Sequence, residues 1–388
     1  MSKILNLDYK NAISNLINEG LLEKLKEFKS VIVFGAGASG EWVVSLLRHY
    51  HIEPVCLCDN NSGKWGIHPQ TDLEVMSFEE AMKRYREAAI CIASLWVEEI
   101  HNQIKEYDEN ILNRTWNLLT TMSWETSGRL NKSTDIEFIK QNEIQFEGLY
   151  HKLADDKSQK TLRGILNYRL TRDEKYLRQI KSNEMIYLDR ELFGDEQINK
   201  IFSAVIIDGG SFDGDTVEEF LRISKKDNLD IHCYEAEERN CILLKEKLGK
   251  WQPNRITVHE SALWSKSCNL YFEGNGLSGK SSEEQTQNSI PVQAEAIDEY
   301  GYSEVSFIKL DIEGAEREAL CGAVNVIKKY RPILAICAYH LQDDLLVLSD
   351  LIDSMGCEYQ LYLRHYMLSA GDTILYAVPN ERLLDISE

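Results

Sequence analysis

The sequence predicts an α/β protein: two Rossmann-like parallel-sheet domains joined by a helical connector. Three observations carry this. Short apolar runs alternate with helical periodicities in both halves of the chain. A glycine-rich turn follows the first apolar run of each half. The stretch between the halves, residues 121–200, contains no proline and is rich in charge.

In residues 1–120, Val31-Ile-Val-Phe34 reads as a strand and Gly35-Ala-Gly-Ala-Ser-Gly40 follows at once. Trp42, Val43, Leu46, Leu47 and Tyr50 then recur at helical spacing. Pro54-Val-Cys-Leu-Cys58, ending in Asp59, and the apolar run from Ala88 to Ala93 complete a small parallel α/β unit. In the connector, Leu162, Ile165 and Leu166 share a helix face. Tyr187-Leu-Asp-Arg-Glu-Leu-Phe193 at its end places aromatic and acidic residues where they could close over a pocket.

Residues 201–388 alternate again. Strands are expected at Ala204–Ile207, Ile231–Tyr234, Ile256–Val258, Val305–Leu310 and Ile333–Cys337, with Tyr359–Leu363 and Thr373–Val378 as a closing strand pair. Val217, Phe220 and Leu221 mark one helix face, and Leu320, Ala323, Val324 and Ile327 another. The polar stretch Ser278–Ser289 reads as a solvated loop.

Composition narrows the function classes. Lys and Arg total 43 against 63 Asp and Glu, a net charge of −20. That excess repels nucleic-acid backbone and anionic membrane surfaces. No apolar run reaches the ~18 residues of a membrane span, and Met1 to Asp8 lack the plan of a signal peptide. Nine cysteines without a CxxC pair read as buried thiols of a cytoplasmic protein.

The chemistry concentrates in the C-terminal half. Asp208-Gly-Gly-Ser-Phe-Asp-Gly214 follows a strand and opens a helix, so Asp208, Gly209, Gly210, Ser211 and Gly214 form a bend that a ligand can approach closely. Glu235 ends the second strand, where an acid commonly accepts hydrogen bonds from ribose hydroxyls. The third strand ends at Glu260-Ser261-Ala262, where an adenine could lie against Leu263. The fourth delivers Asp311-Ile-Glu313-Gly314 to the same edge. Ligands of open α/β sheets bind outside the carboxyl ends of the strands, so Asp208, Glu235, Glu260 and Asp311 are expected to converge on one cleft.

Val205-Ile-Ile-Asp-Gly-Gly-Ser-Phe-Asp-Gly-Asp-Thr216 resembles the first motif of class I S-adenosylmethionine-dependent methyltransferases. Phe307-Ile-Lys-Leu-Asp-Ile-Glu-Gly-Ala-Glu316, with Leu320-Cys-Gly-Ala323, Arg331-Pro332, Tyr339-His340, Tyr362-Leu-Arg-His-Tyr366 and Asp372-Thr373, resembles the FkbM family. The resemblance spans about residues 187–378. It implies an O-methyltransferase that uses S-adenosylmethionine on a hydroxyl of a sugar, nucleotide sugar or glycan-type metabolite. One departure stands out: the family's aromatic-Glu-Pro is here Tyr234-Glu-Ala-Glu237.

Methyl transfer to a hydroxyl benefits from a base beside the attacking oxygen. Asp311, Glu313 and His340 are the candidates, and His340 titrates nearest neutral pH. Arg364 could hold a phosphate or carboxylate bidentately; His365 and Tyr187 are the other expected acceptor contacts. Asp311, Glu313 and His340 would suit Mg²⁺, but no ligand spacing demands a metal and none is expected.

In the N-terminal half, Gly35, Gly37 and Gly40, with Asp59 beyond the next strand, match a dinucleotide fingerprint in context. Three readings stay open there: a nucleotide or nucleotide-sugar holder, a structural or dimerising domain, and an NAD-dependent oxidoreductase. Asn60, Asn61 and Lys64 could contact a sugar or phosphate, or simply form a turn. The rivals to methyl transfer are thus a sugar-nucleotide oxidoreductase centred on Gly35–Asp59 and a non-catalytic scaffold. A homo-oligomer is possible.

Overall fold

The computed structural model describes residues 3–12, 19–94, 96–121, 135–224, 228–251, 255–274, 279–286 and 289–382. Strands β1 (Val31–Phe34), β2 (Cys56–Cys58), β3 (Gly66–Ile67), β4 (Glu74–Met76), β5 (Ala89–Ile92) and β6 (Thr115–Asn117) form the first sheet, ordered β3-β4-β2-β1-β5-β6. All of its pairings are parallel except β3 with β4. Residues of β1 and β5 are buried on both faces, which is why they read as unbroken apolar runs.

Helices Asp135–Gln141, Glu143–Lys152, Asp156–Thr171, Lys175–Arg178 and Arg190–Ile201 follow. Asp155 caps the longest by accepting the Ser158 amide at 2.7 Å. One apolar cluster runs without a break from Ile32 and Phe78 through Phe146, Leu162 and Leu166 to Leu334, Leu348 and Leu375. The helices therefore share a core with both sheets.

The remaining strands are β7 (Val205–Gly209), β8 (Asp230–Tyr234), β9 (Arg255–His259), β10 (Ala262–Leu263), β11 (Cys268–Gly274), β12 (Gly279–Ser282), β13 (Ile290–Glu295), β14 (Val305–Leu310), β15 (Ile333–Cys337), β16 (Tyr359–His365) and β17 (Thr373–Pro379). Seven of them make one sheet, ordered β16-β17-β15-β14-β7-β8-β9. Its pairings are parallel from β15 to β9, and β17 runs antiparallel to both β15 and β16. The chain steps outward from β7 to β9, then returns to β14 on the other side of β7. That reversal opens a crevice at the carboxyl ends of β7 and β14.

Between β9 and β14 a small sheet, ordered β10-β13-β11-β12, is inserted. It corrects the expectation of a loop over Ser278–Ser289. Gly279–Ser282 pairs antiparallel with β11, Tyr271 opposite Ser282. Ser278 and residues 287–288 lie outside the described residues. The strand escaped sequence reading because it is short, polar and built on backbone pairing. Among the described residues no helix is long and apolar enough to cross a membrane.

Candidate active site

A cavity of about 550 Å³ lies at the crevice between β7 and β14. Gly210, Glu235, Ser261, Ala262, Asp311, Glu313 and Tyr187 all line it, and so does Leu263. The sequence-predicted residues from four strand ends and the connector thus meet in one place.

The bend after β7 is sterically forced. Gly210 has φ +75°, and a Cβ there would come within 1.8 Å of the Asp311 carbonyl oxygen. Only glycine lets the two strand ends pack this closely. Glu235 anchors the bend from β8: its Oε2 accepts the Phe212 amide at 2.9 Å and its Oε1 the Glu237 amide at 2.8 Å. A carboxylate has about four lone-pair directions, so acceptor capacity remains for a ligand's hydroxyls. Burial raises the Glu235 carboxyl, while the two amides oppose that shift.

The bend's other predicted residues stand beneath the floor rather than in the cavity. Asp208 is fully buried, with Oδ1 3.0 Å from the Lys309 ammonium. Lys309 in turn donates to the Gly210 carbonyl at 2.7 Å and lies 5.3 Å from the Tyr187 ring centre. Asp208 thus acts on the cavity through Lys309, which the sequence reading quoted within its motif without giving it a role. Ser211 donates back to the Asp208 carbonyl at 2.8 Å. Gly209 and Gly214 are packing glycines: a Cβ would meet Leu263 at 2.8 Å or Leu244 at 2.7 Å. Glu260 points away from the cleft and pairs with Lys245.

Asp311 is the hub of the far wall. Tyr187 donates to its Oδ2 at 2.9 Å and Tyr339 to its Oδ1 at 3.2 Å. Burial works to raise its carboxyl, but the Lys309 and His340 charges and the Tyr187 hydroxyl hold it low. Burial and the Asp311 charge push both tyrosines up, so they stay protonated donors. Asp372, between β16 and β17, also lines the cavity. Burial, reinforced by the Asp311 charge, pushes it up to about 7.

His340 is a correction. It is 1% exposed and lies behind Asp311 and Glu313, outside the cavity lining. Its Nδ1 is 2.8 Å from Glu316 Oε1, and its Nε2 is 3.4 Å from Asp311 Oδ1. Burial favours the neutral ring, but the Glu316, Asp311 and Glu313 carboxylates outweigh it and push His340 up to about 9. A buried, protonated ring cannot take a proton from an acceptor in the cavity. Arg364 and His365 are further corrections. Arg364 holds the helix cap Asp155 at 2.6 Å and Ser158 Oγ at 2.8 Å, tying the connector to β16. His365 is buried against Thr373 Oγ1 at 2.9 Å. Neither lines the cavity, because β16 is the edge strand farthest from the crevice on that side.

Among the described residues, four non-glycine residues on the cavity wall have positive φ: Tyr187 (68°), Phe212 (47°), Glu313 (59°) and Asp372 (55°). Such backbone costs of order 1–3 kcal/mol per residue and persists where the surroundings over-determine it. No sequence signal marks these positions.

The N-terminal glycine loop is tightly self-satisfied. Asp59 Oδ2 accepts the Ala36 amide at 2.9 Å and pairs with Lys64 at 2.9 Å, while Oδ1 accepts the Asn61 amide at 2.9 Å. A Cβ on Gly35 would stand 2.4 Å from the Ala93 carbonyl oxygen, and one on Gly40 2.0 Å from that of Gly35. Gly37 begins helix Ala38–His49 without a side-chain cap. Asn60 faces Gln103 at 2.9 Å.

The family model of the methyltransferase FkbM domain matches residues 208–371. The chain carries an FkbM methyltransferase domain. The protein is accordingly a methyltransferase, and most of the cavity lining falls within the matched residues, with Ile186, Tyr187 and Asp372 outside them. A crystal structure of methyltransferase FkbM from Methylobacillus flagellatus KT is similar over 96% of each chain, with a TM-score of 0.65 and 22% identity. Its fold thus parallels this one across the N-terminal sheet and the connector as well as the FkbM domain. An rRNA methylase from Streptococcus thermophilus covers 47% of this chain and 90% of its own at TM-score 0.32 and 11% identity. Aeropyrum pernix fibrillarin with natively bound S-adenosyl-L-methionine covers 46% and 68% at TM-score 0.31 and 10% identity. No curated protein matches the sequence.

Proposed function

We propose that the FkbM domain transfers a methyl group from S-adenosylmethionine to a hydroxyl of a neutral sugar or glycan-type acceptor. The charge of the cavity carries this reading. Among the described residues six acidic side chains line it, Asp215, Glu235, Glu237, Asp311, Glu313 and Asp372, against the single cation Lys309. Lys309 is already paired with Asp208. Such a lining suits a cofactor bearing sulfonium and ammonium charges and disfavours a phosphorylated acceptor. A nucleotide sugar therefore fits less well than an uncharged hydroxyl compound, the more so as Arg364, its expected phosphate partner, lies elsewhere.

Glu235 would hold the cofactor's ribose, the Gly210 bend its amino-acid end, and Ser261, Ala262 and Leu263 its adenine. The acceptor would sit by Tyr187, Asp311, Tyr339 and Asp372. In the transfer step the acceptor oxygen attacks the methyl carbon in line with the S–CH₃ bond. The C–O bond forms as the C–S bond breaks, and the bonding pair returns to sulfur. The hydroxyl proton passes to Asp372, whose raised carboxyl suits a base working near neutral pH. Asp311, held ionised by Lys309 and tied by two tyrosines, orients the acceptor and faces the sulfonium charge.

The oxidoreductase reading of Gly35–Asp59 loses support, since the Asp59 charge is neutralised by Lys64 besides accepting the Ala36 and Asn61 amides. Calorimetry with S-adenosylhomocysteine and with NAD tests both readings. Binding of the former, weakened by Glu235→Ala, is expected. Binding of NAD alone would reverse the assignment, and binding of neither would leave a scaffold. A screen of neutral glycans against phosphorylated counterparts, read as methylated products by mass, tests the acceptor class.

A further inference from the structure

We propose that Glu316 is a positioning residue of the acceptor wall: from behind the cavity it pins the turn that carries Asp311 and Glu313, and through the His340 charge it tunes Asp372. The catalytic meaning of this linkage rests on the methyl-transfer reading with Asp372 as base; the linkage itself does not. The sequence reading quoted Glu316 within its motif without giving it a role.

One oxygen makes both contacts. Glu316 Oε1 accepts the Ile312 amide at 2.9 Å and lies 2.8 Å from His340 Nδ1. Ile312 stands between the two acids that line the cavity, in a turn whose Glu313 has φ 59°. Such backbone persists where its surroundings hold it, and the bond to Glu316 is part of that hold. Glu316 and His340 are 0% and 1% exposed. A carboxylate at that depth needs a cation beside it. Arg317, the next residue, is spent on Asp343 and on Asp344 at 3.0 Å. Among the described residues the His340 ring is therefore the counter-charge of Glu316. The protonated ring gives Nδ1–H to Glu316 and turns Nε2–H toward Asp311 Oδ1 at 3.4 Å and Glu313 Oε2 at 3.8 Å.

The ring's charge reaches Asp372. Burial favours a neutral His340, but the Glu316, Asp311 and Glu313 carboxylates push it up to about 9. Asp344, itself raised by burial and by Glu316, also faces the ring, and the Tyr339 ring centre lies 4.1 Å away. On the cavity side, burial and the Asp311 charge raise Asp372 to about 7, and the His340 charge opposes them. The Tyr187 and Tyr339 hydroxyls face Asp372 as well. Removing the Glu316 charge lets the ring discharge at lower pH. Asp372 then loses the opposing charge, and its ionisation moves to higher pH.

The test is a pH titration of the full chain by nuclear magnetic resonance, with ¹³C-labelled histidine and aspartate. The His340 and Asp372 signals are assigned by their loss in His340→Gln and Asp372→Asn. In the unaltered protein His340 should be protonated at neutral pH. In Glu316→Gln, which keeps an oxygen for the Ile312 amide, the His340 midpoint should fall by about 1–3 pH units. The ionised share of Asp372 at neutral pH should then fall about 2–5-fold. Glu316→Asp, which keeps the charge, should hold both midpoints near those of the unaltered protein. A neutral His340 at neutral pH in the unaltered protein overturns the proposal, however the variants fold. An Asp372 midpoint that stays in place while the ring discharges overturns it too. S-adenosylhomocysteine calorimetry on the same samples keeps the two readings apart: no binding to the unaltered protein sinks methyl transfer alone, while the titrations still decide the linkage.

Discussion

Lys309 and Asp208 form an ion pair sealed from solvent, the ammonium 3.0 Å from the carboxylate, with side-chain exposures of 2% and 0%. Burial works to discharge the lysine, and the Asp208 and Asp311 carboxylates overcome it, so Lys309 stays protonated. Because Lys309 also holds the Gly210 carbonyl, the pair fixes the bend that a cofactor must meet.

Lys309→Met leaves Asp208 charged and alone in the core. Loss of one partner from a buried pair costs about 3–5 kcal/mol, and chemical denaturation should show it. The double variant Lys309→Met, Asp208→Leu should recover much of that loss yet still bind S-adenosylhomocysteine poorly. An unchanged midpoint in the single variant would mean that the pair carries no stability.

Glu235→Ala removes a charged acceptor from both the proposed ribose site and the Phe212 amide. Hydrogen bonds to a charged group are each worth ~1.5–3 kcal/mol, so S-adenosylhomocysteine affinity should fall about 10–100-fold in calorimetry. Glu235→Gln should lose less, since an amide oxygen still accepts. Equal affinity in all three proteins would remove Glu235 from the cofactor site.

Asp372 gives the pH dependence of turnover. Its carboxyl, pushed up to about 7 by burial and Asp311, is protonated and idle below that pH and becomes a base above it. The groups shifting it are the like charge of Asp311, which raises it, and the His340 charge, which lowers it. Turnover should therefore rise through about pH 7 and then level. Asp372→Asn should lose about 10²–10⁴-fold in kcat together with the inflection, at nearly constant cofactor affinity. A variant that keeps the wild-type pH profile would place the base elsewhere.

His232 and His365 make the fold acid-sensitive. Burial lowers both to about 4, from an ordinary value of 6.5. At these two rings the unfolded chain binds more protons than the native one between these values, whereas the raised carboxyls of Asp372 and Asp344 act in the opposite sense. The stability contributed by the neutral rings is fully present above about pH 6.5 and is lost as pH falls toward about 4. The contribution of the His365 ring is read by difference: from pH 7 to pH 4 the melting temperature of the unaltered protein should fall relative to that of His365→Asn. A flat difference would contradict the burial of His365 as a neutral ring.

The strand-end residues were legible because their chemistry is local. Gly210, Glu235 and Asp311 each follow an apolar run that can only be a buried strand, and parallel strands place their carboxyl ends together. His340 followed the same rule and still missed the cavity, since Glu316 lies on a helix that packs behind the strand tip and draws the ring inward. Arg364 was read as a ligand contact because an arginine after a strand looks free. Its partner Asp155 lies more than two hundred residues away in sequence, a distance that no local pattern spans.

The amino-acid sequence alone determined which apolar segments become the central strands of the two large sheets, where glycine must bend the chain, and which acids stand at strand ends. These follow from hydrophobic period and backbone sterics, which act over a few residues. Tertiary structure alone decided which acids face the cavity, which are spent on Lys309, Lys245 or the chain's own amides, and which carboxyl is raised toward neutrality. Those outcomes depend on burial and on charges brought together from distant segments, and an electrostatic environment exists only once the chain has closed around it.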